Sequence, residues 1–465
     1  MAEKSPPSFD RFLVEGPIHK AVWRIAWPTL IQNIVSGLQG LIDHAMVGRT
    51  VGFQGNAAVG VSWQIFIVVV VFISSLYSGM GVLVARFAGA GDRDRVDRVV
   101  RQVFLLSTFF GIVVIAPAGY FLAPMLLDLV HAAPEVKAEA LPYLRILFLF
   151  SLGMMHFFMI GGALRAAGDA RTPMRLGILL TVLNLTLNVV LIRGFGPIPA
   201  FGTRGAAMGT AIASGVVALI AFYLLFSDRL VIRLSGREGW SPDWGIISAI
   251  FRFGLPTGFQ GIAMNIGGVL MIRFVGSLEN SAEAQAAFAV GYTQLFSLIT
   301  WTSTALMAAA ATLVGQNLGA GYKMRAVSAP RTTSLVGLMI ALPLAGMFLV
   351  IPRVLLGFFG MEDPVVLGLG QQLLAYLSLS GLFVVAALSY TGALQGSGDT
   401  RSPLYISMIS QLALPLGLVA ILDLTHGLRP GDIWLAIVLG HLTRCVLSVL
   451  RFRQGKWSEI EVKIA

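Results

Sequence analysis

From Thr50 to Ala85 the chain carries no charged side chain. Crossing a bilayer as helix takes about 20 apolar residues, so this run is long enough to span. Similar runs fall near 25–46, 57–84, 103–125, 141–164, 176–195 and 205–226. Six more follow near 253–275, 287–314, 333–356, 370–394, 404–422 and 433–450. They are continuous rather than alternating, which predicts transmembrane helices and not a barrel. Charged residues make up 12% of the chain, about half of what a soluble surface carries, so much of the exterior must face lipid.

The net charge of +10 is not spread along one soluble face, which argues against nucleic acid as a partner. It sits in short clusters between spans: Arg93, Arg95, Arg98 and Arg101, then Arg165, Arg171 and Arg175, then Arg229, Arg233 and Arg252. Lys323, Arg325 and Arg331 repeat the pattern, and Arg451, Arg453 and Lys456 close it. The alternate connections hold scattered cations such as Arg49, Lys137 and Arg145. By the positive-inside bias both termini are expected in the cytoplasm, which requires an even number of spans. The polar N-terminal segment lacks the apolar core of a secretory leader, so the first span is expected to remain. The single cysteine, Cys445, excludes a disulfide framework and a cysteine-type metal site.

The chain is also written twice. GALRAAGDARTPM at Gly162–Met174 returns as GALQGSGDTRSPL at Gly392–Leu404, 230 residues later. At the same offset GAGDRDR at 89–95 faces GAGYKMR at 319–325, and Gln64-Ile65-Phe66 faces Gln294-Leu295-Phe296. Pro28 in AWPTLIQ has its counterpart in Pro256 of GLPTGFQ. Six spans per half is even, so the halves share one orientation, as in transporters built from parallel repeats. The expected fold is an all-α integral membrane protein of twelve helices in two six-helix lobes related by a parallel pseudo-twofold repeat. Its expected divisions are an N-lobe over 1–228, a cytoplasmic linker over 229–252 and a C-lobe over 253–465. The repeated Gly-Asp string with its following Pro reads as a tight turn that starts the next helix.

Acids inside spans are the first candidates for ion chemistry, and only Asp43 clearly lies within one. It is 19 residues beyond Arg24, or about 28 Å of helix, so depth alone allows either an interfacial or a functional carboxylate. Asn184 and Asn188 are spaced i,i+4 and share one helix face. That face either packs by interhelical hydrogen bonds or binds a carboxylate or cation. Gly205, Gly209 and Ala213 recur every four residues and predict close helix packing. MMHFFM at 154–159 reads as packing before it reads as a substrate wall, with His156 a satisfied membrane histidine. Pro28 and Pro256 each remove a helix hydrogen bond, and Pro28 is a candidate hinge.

Two six-helix halves, Pro28, IDHAMVG at 42–48, GAGD at 89–92 and GALRAAGDARTP at 162–173 together resemble the multidrug and toxic compound extrusion family. NLTLNVVLIRGFG at 184–196 and GTRGAAMGTAIASG at 202–215 fit the same pattern, and the resemblance runs from about residue 15 to 452. It implies N- and C-lobes around a cavity, and export of amphipathic, often cationic small molecules in exchange for H+ or Na+. It implies an ion-coupling role for Asp43, with Asn184, Asn188 and Thr210 as its polar partners. Some relatives carry an acid at the position of Asn188, and others carry acids in the seventh and tenth helices. Here those helices offer Met264, Asn265, Gln371 and Gln372, and the counterpart of Asp43 falls near Met271. Coupling is therefore expected in the N-lobe alone.

No cofactor, metal or nucleic acid is expected, and the chain is expected to be a monomer in a cell membrane, as in a bacterial inner membrane. No GxxxxGK[ST] string occurs, which argues against ATP hydrolysis through a P-loop. A lipid-linked saccharide flippase of the same superfamily is the nearest alternative reading. A membrane-embedded enzyme is an alternative of another class, opposed by the lack of clustered His, Asp or Ser at membrane depth. The residues that contact substrate are not legible.

Overall fold

The computed structural model describes residues 9–227, 229–234 and 240–462. Among them the regular structure is helical. A short α1 (Phe12–Glu15) precedes α2 (Ile18–Thr50) and α3 (Phe53–Gly89). The third passage is α4 (Arg93–Phe109), a π turn at Phe110–Ile115 and α5 (Ala116–Leu129). The fourth is α6 (Pro134–Leu149) and α7 (Ser151–Ala166), bent by 51° at Phe150. Then come α8 (Arg171–Arg193) and α9 (Thr203–Phe226).

The second half opens with α10 (Trp244–Gly276), nine residues earlier than the apolar run begins. It continues with α11 (Ser281–Phe288), a π turn at Ala289–Leu295 and α12 (Ser297–Gly319), then α13 (Lys323–Val350) and the short α14 (Pro352–Phe358). After α15 (Pro364–Ser397) come α16 (Arg401–Ser407), a π turn at Met408–Ala413, α17 (Leu414–His426) and α18 (Pro430–Arg453).

Ten of these helical runs are long and apolar enough to cross a membrane, and the bent pair α6–α7 makes an eleventh. The remaining long helix, α2, falls short in hydropathy because Gln32, Asn33, Gln39, Asp43 and His44 lie along it. With α2 the chain is an all-α integral membrane fold of twelve spans in two six-helix lobes. Large apolar side chains such as Phe121, Leu219, Val350 and Phe358 are exposed, an arrangement that suits acyl chains and not water.

The chain separates into two compact units. Among the described residues, one comprises 9–10 and 31–254; the other comprises 11–30 and 255–462. Both α2 and α10 therefore contribute to two units, and each changes unit within three residues of its proline, Pro28 or Pro256. In the first unit Phe66, Leu76, Met80, Leu83 and Leu144 are fully buried. Backbones come close there: a Cβ at Gly79 would lie 2.0 Å from the Ile250 carbonyl oxygen, and one at Gly254 would lie 2.3 Å from that of Ser75. Glycine at both positions lets α3 and α10 touch.

In the second unit Phe288, Phe296, Phe348, Leu373 and Trp434 form the centre of the apolar core. The N-terminal segment docks on this unit. Arg325 donates to the Gly16 carbonyl at 2.7 Å, and the Asn317 carboxamide donates to that of Leu13 at 3.3 Å.

The duplicated string builds the same turn twice. Gly168 and Gly398 adopt φ of 102° and 101°, which favours glycine. Asp169 Oδ1 then accepts from the Thr172 amide at 3.0 Å, and Asp399 Oδ1 from the Ser402 amide at 3.1 Å. Each carboxylate satisfies a donor in the first turn of α8 or α16. In the second copy Asp399 is buried and pairs with Arg451 at 2.9 Å.

Candidate functional site

Asp43 lies on the part of α2 that belongs to the first unit, and α8 brings polar side chains to it. The i,i+4 spacing turns Asn184 and Asn188 to one face, and both are fully buried. Asn188 Nδ2 donates to Asp43 Oδ1 at 2.8 Å. Gln39, one turn before Asp43, also hydrogen-bonds the carboxyl group. Its own oxygen is fixed by Thr181 Oγ1 of α8, which donates to Gln39 Oε1 at 2.7 Å. Tyr143 of α6 is buried, hydrogen-bonded to Trp63 of α3, and close enough to feel the Asp43 charge.

The Asn184 carboxamide lies 3.2 Å from both carboxyl oxygens of Asp43. With its nitrogen toward Asp43 it donates to a carboxylate, and its oxygen then accepts from Thr210 Oγ1 at 3.1 Å and the Thr210 amide at 3.2 Å. With its oxygen toward Asp43 it accepts from Asn188 Nδ2 at 3.2 Å and is placed to accept from a protonated carboxyl, and its nitrogen donates to Thr210 Oγ1 at 3.1 Å. The two orientations suit the two protonation states of one acid.

The residues singled out in the sequence thus converge: Asp43, Asn184, Asn188 and Thr210 form one connected network. Gln39 and Thr181 join it, and Tyr143 stands near it; none carries a sequence signal, since a Gln, Thr or Tyr in a span has many ordinary uses.

Glycine on α9 makes the approach possible. A Cβ at Gly209 would lie 2.0 Å from Asn188 Oδ1, and one at Gly205 would lie 2.4 Å from the Leu191 carbonyl oxygen. The small-residue stripe packs α9 on α8 and leaves room for the Asn188 side chain. Pro28 lies outside this cluster, near the point where α2 changes unit.

The second unit is different at the matching place. Met271 is buried in the apolar core. Asn265 donates to its own helix at the Gly261 carbonyl, 2.9 Å away. His156, in MMHFFM, pairs with Thr108 Oγ1 at 3.0 Å and stacks on Phe104; Met155, Phe157 and Met159 around it are buried.

The MatE family model matches the chain twice, over residues 28–190 and 256–419. The chain belongs to the MatE family. The paired match follows the internal duplication, and MatE proteins are transporters, not enzymes. Among similar proteins is the probable multidrug resistance protein NorM of Thermotoga maritima, 28% identical over 95% of this chain and 94% of the relative. An uncharacterized transporter, YisQ of Bacillus subtilis, is 24% identical over 94% of each chain. A solved multidrug resistance MATE family transporter of the MOP superfamily, in an outward-facing conformation, superposes with a TM-score of 0.89. It is 23% identical, over 98% of this chain and all of that one. This chain is therefore a multi-pass membrane transporter of the multidrug type, working on small molecules without a cofactor.

Proposed function

We propose that this transporter is a secondary antiporter that exports amphipathic, cationic compounds by alternating access in exchange for H+, with Asp43 as the coupling group. The observation that carries the reading is the carboxyl of Asp43 on α2, which meets side-chain N–H donors from Asn188 and Gln39. Those N–H donors hold a carboxylate, which supports H+ as the coupling ion. The matching position in the second unit is an apolar core methionine, Met271, so one carboxyl serves the whole chain.

In this reading the ionised Asp43 favours a cationic compound. A proton from the outside removes the charge, the Asn184 carboxamide turns its oxygen to accept from the new O–H, and the cation leaves. Release of the proton inside restores the carboxylate and the first orientation. Pro28 acts as the hinge of α2. Both termini face the cytoplasm of a bacterial inner membrane, and the working unit is a monomer.

Export of a fluorescent cationic dye from proteoliposomes, with pH and Na+ gradients imposed separately, tests the proposal. A pH gradient alone should drive export, and Asp43→Asn should abolish it while the protein still inserts and melts normally. Export by Asp43→Asn at the native rate, or driven only by Na+, would overturn it.

A further inference from the structure

On the first unit the helices leave a cavity of about 830 Å³ whose lining includes none of Asp43, Asn184, Asn188 and Thr210. Three irregularities make it. The π turn at Phe110–Ile115 displaces Gly111 and Ile112, the 51° bend at Phe150 opens the wall between α6 and α7, and α9 presents Ala211, Gly215 and Ala218. A Cβ on Gly153 would touch the Gly215 backbone at 2.8 Å, whereas a Cβ on Gly215 would meet nothing within 4 Å. Gly215 therefore packs one way and faces the hollow the other way. Most of the lining is apolar, and the rim residues Ile112, Phe121, Phe150 and Leu219 are exposed. In a membrane protein such a rim opens on acyl chains.

The hollow also has a polarity along the bilayer normal. Arg145 and Arg165 are 20 residues apart on the fourth passage, about 30 Å of helix, which matches the apolar core of a bilayer. Arg145 therefore lies at the headgroup edge opposite the arginine clusters. His156 lines the hollow 11 residues further in, about 16 Å or half the core thickness. The cavity extends from headgroup level to mid-bilayer. At the headgroup end Arg145 stacks over Tyr120, a lining residue, at 4.6 Å, and its Nε donates to the Tyr120 carbonyl at 3.3 Å. Arg145 has no carboxylate partner among the described residues.

We infer that this cavity holds one acyl chain of an anionic phospholipid, with the lipid phosphate on Arg145. Apolar attraction alone does not favour the site, since the rest of the bilayer is equally apolar. An empty hollow of this size forfeits the contacts of its walls, so a chain fills it. The guanidinium then selects the headgroup. It also turns away the cationic compounds proposed as cargo, which separates this site from the transport path.

The test uses the full-length protein in nanodiscs of phosphatidylethanolamine doped with phosphatidylglycerol that carries a diazirine on its acyl chain. After irradiation, adducts are mapped by peptide mass spectrometry. Label should concentrate on the peptides around Ile112, Phe150 and Gly215, above the level on Val350 and Phe358 of the lipid-facing surface. Gly215→Phe should fill the hollow and bring that label down to the surface level. Arg145→Gln should reduce it about fivefold for phosphatidylglycerol, in line with one lost basic contact to an anionic lipid, and reduce it less for a phosphatidylcholine probe, whose phosphate charge is offset by its own ammonium. Gly346→Phe, at a glycine that also meets open space, should change nothing. If Gly215→Phe lowers the melting temperature, Ala218→Trp fills the same hollow and replaces it. Label spread evenly over the surface, or unmoved by the filling variants, overturns the assignment. Label unmoved by Arg145→Gln overturns the headgroup contact.

Discussion

Asn188 occupies the space that a side chain at Gly209 would need. Its Oδ1 lies where a Cβ would approach to 2.0 Å, and that oxygen has no hydrogen-bond partner among the described residues, while Nδ2 holds Asp43 at 2.8 Å. The carboxamide is thus oriented by shape on one side and by the acid on the other. Gly209→Ala should displace it, at a cost of about 1–3 kcal/mol for overpacking. Export by Gly209→Ala should fall with that of an Asn188 variant, whereas Gly215→Ala on the same helix should keep the native rate. Dye export and thermal melting of the two alanine variants, side by side, check this.

Asn188→Leu removes one N–H donor to the Asp43 carboxylate. A hydrogen bond to a charged group contributes about 1.5–3 kcal/mol, and one pH unit corresponds to about 1.4 kcal/mol. Losing the donor disfavours the charged form. The pH of half-maximal export should therefore move to higher pH by about one to two units. A profile of export rate against pH in proteoliposomes measures the shift; no movement, or movement to lower pH, contradicts the proposed donor role.

Thr181 reaches Asp43 through Gln39, whose Oε1 accepts from its hydroxyl at 2.7 Å. Thr181→Val should weaken export in the native background and do nothing further in Asp43→Glu if the two act through one network. A double-mutant cycle reads the coupling, since contacting groups depart from additivity by about 0.5–3 kcal/mol. Additive losses would mean that Thr181 matters for packing alone.

The twin turns should respond unequally. Arg451→Ala leaves the buried Asp399 carboxylate without its cation, and breaking such a pair costs about 3–5 kcal/mol. Asp169→Ala removes a helix cap, with a cost of about 1 kcal/mol. Thermal unfolding of the two variants in detergent should rank them in that order.

The sequence carried the spans because a bilayer demands long apolar runs, and the duplication because ordered matches at one offset are hard to reach by chance. It also marked Asp43, since an acid inside a span stands out, and the Asn184–Asn188 face, since helical spacing is legible. Gln39 and Thr181 were not legible: their meaning depends on which helices meet. Neither was the early start of α10 at Trp244, because Arg252 interrupts the apolar stretch and hides its beginning. The hollow beside Gly215 was also hidden, because it follows from a bend at Phe150 and a π turn that no local residue pattern announces.

Because α2 and α10 each serve both compact units, the polypeptide cannot be divided into two self-sufficient pieces. Opening the connection at 235–239 would leave Arg11–Leu30 on a fragment away from the unit it completes, and would leave 244–254 stranded in the same way. Two such fragments made together should be obligate companions, each degraded when produced alone.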